Sequence, residues 1–83
     1  MKIVIRSNIK WLVSKAGFQQ KEVAEEMGIS AQHFNSWAKG KNFPKSDALI
    51  HLLVILKRKL PDLTLDDLYD YEVVQEDEIK ERY

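Results

Sequence analysis

The sequence predicts an all-α fold: a compact five-helix domain over residues 1–71, followed by an acidic C-terminal tail over residues 72–83. Three observations predict it. Glycine and proline fall at Gly17, Gly28, Gly40, Pro44 and Pro61, cutting the chain into pieces about the length of short helices. Inside those pieces apolar residues recur at helical spacing. The length, 83 residues, allows one domain with one modest core.

Met1–Arg6 is β-branched and compatible with an extended conformation. Ser7 or Asn8 then caps a first helix, with Ile9, Leu12, Val13 and Ala16 inward and Gly17 as its stop. A second helix covers Gln20–Met27 and ends at Gly28. Ser30 caps a third, Ala31–Lys39, stopped by Gly40. After a loop containing Pro44, Ser46 caps a fourth helix that runs to about Lys59. Thr64 caps a short fifth, Leu65 to about Tyr69, with Asp66 and Asp67 where the helix dipole favours acids.

The composition is 45% hydrophobic and 31% charged, too apolar for disorder throughout. No cysteine is present, which removes a disulfide framework, a thiolate metal site and a cysteine nucleophile together. No bilayer-spanning run or signal peptide is legible, so a cytoplasmic location is expected. The zero net charge hides a split. Residues 1–61 hold eleven Lys/Arg against four Asp/Glu, a surplus of seven positive charges; residues 62–83 hold nine acids against two bases, a surplus of seven negative ones. Such a split points to a polyanionic partner for the basic part.

The most informative stretch runs from Gln20 to Trp37. Val23, Met27, Ile29, Phe34 and Trp37 are apolar, Ala24 is small and Gly28 is a glycine. Two helices joined by about three residues cross sharply. A close crossing requires a small contact residue, Ala24, and the turn requires a positive φ, which Gly28 supplies. Ile29 fills the corner, while Phe34 and Trp37 pin the second helix of the pair. The seven positions in register are a helix-turn-helix signal.

From Gln20-Lys-Glu-Val-Ala-Glu-Glu-Met-Gly-Ile-Ser through Trp37 to Gly40 and Pro44, the sequence resembles the lambda-repressor/Cro type (XRE family) of helix-turn-helix domains. Leu65-Asp-Asp-Leu-Tyr69 resembles that family's short fifth helix, and the resemblance spans about residues 7–71. One departure stands out: family members often carry an Arg–Glu pair between the first and third helices, where this chain has Val13 and Ala38. Both positions are apolar together, so no lone buried charge is left.

On the third helix Ala31, Gln32, Asn35, Ser36 and Lys39 share one face, opposite Phe34 and Trp37. Asn and Gln suit bidentate readout of adenine, so these five are candidates for base contact. Ser30, His33, Lys41 and Lys45 are candidates for phosphate contact. By the resemblance Gln20, at the start of the second helix, and Asn42, in the loop after the third, join them. No acid lies between residues 27 and 46. His33 and His51 lack partners at metal-ligand spacing, and Asp66, Asp67 and Asp70 are explained by the helix dipole and solubility. No enzymatic motif is present, and no enzyme activity, cofactor, metal or small-molecule ligand is expected.

The expected function is sequence-specific binding of double-stranded DNA by a transcription regulator of the phage or bacterial repressor type. The alternatives are a protein-interaction module, antitoxin-like or adaptor, and an architectural DNA binder. A single unit reads few base pairs, so a weak homodimer strengthened on DNA is expected. Ile50 and Val54 on the fourth helix, with Leu63, Leu68 and Tyr71, are candidates for its contact. The competing explanation is that the domain wraps this helix on both sides, or that the acidic tail folds over it through Val73, Val74 and Ile79, scattered exposed apolar residues being ordinary.

Overall fold

The computed structural model describes residues 1–74. The elements run β1 (Lys2–Ser7), α1 (Ile9–Lys15), α2 (Gln20–Met27), α3 (Ala31–Ala38), α4 (Ser46–Lys57), a 3-10 turn (Leu65–Leu68) and β2 (Tyr69–Val74). No helix among the described residues is long and apolar enough to cross a membrane.

The fold is therefore not all-α. Among the described residues it combines four α-helices with a two-stranded antiparallel sheet. β1 and β2 pair from Lys2 opposite Val74 to Ser7 opposite Tyr69. Asn8 N–H continues the ladder to the Leu68 carbonyl at 2.9 Å. β1 is rich in β-branched residues, and β2 in aromatic and β-branched ones. Neither is stable alone; the pairing exists because the helical body returns the C-terminal segment to the N-terminal one. Residues 72–74, expected to open the acidic tail, complete β2, and the rest of that expected tail, 75–83, lies outside the described residues.

The fifth helix is also corrected: Leu65–Leu68 is a single 3-10 turn. The Asp67 carboxylate accepts from both the Thr64 N–H (2.9 Å) and the Thr64 hydroxyl (3.1 Å). The chain is fully extended by Tyr69 (φ −140°, ψ 144°), which leaves no room for an α-helical turn.

The core gathers Ile9, Leu12, Val13 and Ala16 with Val23, Ala24, Phe34, Trp37, Ala38, Leu52, Ile55, Leu56, Leu63 and Leu68. Among the described residues no polar or charged one is buried in it. Val13 and Ala38 both lie inside this apolar cluster. On α4 Leu52, Ile55 and Leu56 are buried, while Ala48, Leu49 and Leu53, with Leu60 just beyond the helix, are only partly covered. Leu63 and Leu68 are core residues, so neither is available as a dimer contact. Capping differs in detail as well. Lys45, not Ser46, holds the N-cap position of α4, and Asn8 at the start of α1 directs its amide to the Asp67 carbonyl (3.2 Å).

Candidate nucleic-acid interface

α2 ends at Gly28, whose backbone is left-handed (φ +73°). Two bonds close the helix there: Ile29 N–H donates to the Ala24 carbonyl (3.0 Å) and Gly28 N–H to the Glu25 carbonyl (3.1 Å). Chain direction then reverses into α3. The Ser30 hydroxyl oxygen caps α3 by accepting from His33 N–H at 3.0 Å. Val23 and Ala24 are buried on α2, and Phe34 and Trp37 on α3. Met27 and Ile29 pack against this cluster from the side, partly covered. All seven residues of the predicted motif thus meet at or against one junction.

With Phe34, Trp37 and Ala38 inward, the outer face of α3 is set by geometry. Ala31, Gln32 and Lys39 are exposed; Asn35 and Ser36 are half-buried along its margin. Ser36 has a prior commitment: its hydroxyl donates to the His33 carbonyl at 2.6 Å. Its own carbonyl accepts the N–H groups of Lys41 (3.0 Å) and Asn42 (3.4 Å), folding the following loop back against the helix. Among the described residues the side chains of Gln32, Asn35, Lys39, Lys41, Asn42 and Lys45 make no hydrogen bond or ion pair. They are free to meet a ligand without breaking an internal contact.

The phosphate candidates divide. Lys41, Asn42 and Lys45 are exposed on the α3–α4 loop. His33 is exposed but stands edge-on to Trp37, with ring centroids 5.1 Å apart, and so is braced rather than free. Ser30 is committed as a cap. Gln20 is the half-covered first residue of α2. Nearby, the Glu22 carboxylate accepts from Gln19 N–H at 3.0 Å and places a negative charge in that first turn. A phosphate approaching the start of α2 would share it with that acid, which weakens the case for Gln20.

Glu26, on the far side of α2, does not offset the basic loop. Its carboxylate is gripped by both guanidinium nitrogens of Arg58, Nη1 donating to Oε1 at 2.9 Å and Nη2 to Oε2. This fork ties α2 to the end of α4. The hydrogen bond from Arg58 holds the Glu26 carboxyl below its ordinary range, and the same bond raises the Arg58 pKa. Residues 27–46 keep an all-positive balance of formal charges, from Lys39, Lys41 and Lys45. Among the described residues no three His, Asp or Glu side chains are grouped as a metal site.

No known family model matches the chain, and no curated protein matches it significantly.

Two features of the surface escape sequence reasoning. Phe43 lies exposed in the basic loop and packs on Tyr69 at the base of β2, with centroids 5.5 Å apart. Trp11 stands exposed on α1 beneath the Lys15 ammonium, 4.8 Å from its ring centroid. The i, i+4 spacing of Trp11 and Lys15 is a signal for the second; no local signal announces the first.

Proposed function

We propose that this protein binds double-stranded DNA sequence-specifically as a transcription regulator of the phage or bacterial repressor type. α3 enters the major groove. One observation carries the reading: α2, a left-handed glycine turn and α3 meet at a shared core, and the outer face of α3 offers Gln32, Asn35 and Lys39 with no internal partner. Gln32, exposed in the first turn of the helix, and Asn35, half-buried along its margin, are the base-reading residues. Lys39, Lys41, Asn42 and Lys45 contact the phosphate backbone, and the resemblance to the lambda-repressor/Cro type supports the same docking. Ala31 permits close approach at the start of the helix. Ser36 contributes only by giving up its bond to the His33 carbonyl.

Selection of bound duplexes from a random DNA pool tests the reading. A recovered consensus whose binding weakens steeply with salt supports it. Equal affinity for all duplexes would indicate an architectural binder instead. Absence of salt-dependent duplex binding would overturn both.

A second reading, a protein-interaction module of adaptor or antitoxin-like type, has one observation in its favour. A groove of about 530 Å3 lies beside exposed Trp11, floored by Leu12, Leu60 and Leu63 and edged by Asp62 and Asp66. None of its lining residues belongs to α2 or α3. Trp11→Ala separates the two readings: DNA binding is indifferent to it, whereas a protein partner seated in the groove is lost.

A further inference from the structure

The β1–β2 ribbon has two unlike faces. In the antiparallel register Ile3 sits opposite Val73, Ile5 opposite Tyr71 and Ser7 opposite Tyr69. Side chains alternate along each strand, so these six share one face. At the base this face meets the helical body. The Ser7 hydroxyl donates to the Trp37 carbonyl at 3.0 Å, and Tyr69 packs against the core. Beyond the base the same face runs past the body and loses its cover. Ile3 is 54% exposed, Ile5 48%, Tyr71 76% and Val73 43%. The opposite face carries Lys2, Arg6, Asp70 and Glu72 around half-buried Val4 and Val74, with an exposed Arg6–Glu72 ion pair at 3.5 Å. The polar side is thus already turned to water, and the overhanging core side is the anomaly.

We propose that this apolar face docks against the same face of a second copy of this chain. Charge decides the mode. Two-fold pairing at a strand edge sets β1 beside β1, with Lys2 and Arg6 facing like charges. Pairing at the other edge sets β2 beside β2, with Asp70 and Glu72 doing the same. Face-to-face stacking brings together only Ile3, Ile5, Tyr71 and Val73, none of them charged, and leaves every charge outward. An uncharged face offers nothing to an acidic or basic partner but is complementary to itself. Area decides the strength. At roughly 200 Å2 per fully exposed residue of this size, the four expose on the order of 400 Å2, as large as the patches that mark functional surfaces. Two copies bury about 800 Å2 from these side chains, below the standard size of a stable interface, so the dimer is weak. Ile50 and Val54 on α4 are half-exposed, but they are two side chains without such a continuous face.

The inference is independent of DNA binding and is tested without nucleic acid, by sedimentation equilibrium of the full chain over a concentration series. The wild type shifts from monomer toward dimer with a Kd on the order of 10–100 μM. Tyr71→Glu and, on the other strand, Ile5→Lys each weaken association at least about tenfold. Both sites are exposed, so circular dichroism and thermal melting show these variants folded. Ile50→Glu/Val54→Glu associates as the wild type does. A wild type that stays monomeric to about 1 mM overturns the proposal, and coverage of the face by residues 75–83 would read out in that way. Folded Tyr71→Glu or Ile5→Lys variants that associate like the wild type, or association lost only in the α4 variant, overturn it equally.

Discussion

Single side chains on and around α3 are expected to act in two separable ways. Gln32 is exposed and has no internal partner, so Gln32→Ala should leave the melting temperature unchanged. It should cost about 1–3 kcal/mol of binding at a preferred duplex and relax preference at one base pair. Lys41→Ala removes a point charge from the loop and should weaken all duplexes alike, lowering the salt slope by about one. Titrations of cognate and scrambled duplexes at several salt concentrations distinguish the two. Gly28 presents a different case. A β-carbon there would meet nothing within 4 Å, so space is not the constraint; the backbone at φ +73° is. Gly28→Val should therefore destabilise by roughly 1–3 kcal/mol through strain alone. Gly28→Asn, which tolerates the left-handed region better, should recover much of that loss in a denaturant titration.

Between elements, the α2–α4 tie through Glu26 and Arg58 has a defined pH response. The Arg58 hydrogen bond lowers the Glu26 pKa below its ordinary value of 4.5. A carboxylate whose folded pKa is depressed stabilises the fold above its unfolded pKa and loses that contribution as pH falls through the folded one. The stability difference between wild type and Arg58→Gln should therefore be constant at neutral pH and shrink below 4.5. The pair is exposed to solvent, so the difference is small and salt-sensitive. The contact between α2 and α3 is less forgiving. Ala24 is buried at their crossing, and Ala24→Leu should cost roughly 1–3 kcal/mol by overpacking. Binding should fall with it, because the angle that presents α3 is set there.

Among the described residues the two signs of charge are segregated only in part, since β1 sets Lys2 and Arg6 on one ribbon face with Asp70 and Glu72. The α3–α4 loop is basic, whereas the segment from Asp62 to Glu72, with the 3-10 turn and β2, carries five acids. A chain that keeps an acidic segment suppresses indiscriminate attraction to nucleic acid while its basic loop stays usable. Replacing Asp66, Asp70 and Glu72 by their amides should tighten binding to unrelated duplexes at low salt. The gain should vanish at high salt, where charges beyond a Debye length no longer act. Asp67 is left in place because its carboxylate holds the 3-10 turn through Thr64. Fluorescence anisotropy with a scrambled duplex over a salt series measures the effect.

The sequence by itself determined the four helices and the α2–α3 junction, because the information there is local. Gln20–Met27 is read to the residue, Gly28 is identified as the left-handed corner, and Ser30 caps as its position demands. A helix repeats every few residues, so its cap, inner face and stop all lie within one short window. The outer face of α3 follows from the same periodicity, and with it the candidate base-reading residues. What only the tertiary structure decided is non-local. The partner of Lys2 is Val74, and that pairing forms only once the whole helical body has folded between them. Leu68 looks like a surface residue in a short amphipathic turn and is in fact fully buried, because the 3-10 turn sets it into the core cluster. Ile3, Ile5, Tyr71 and Val73 are unremarkable in either strand alone, and they become one apolar face when register sets them side by side.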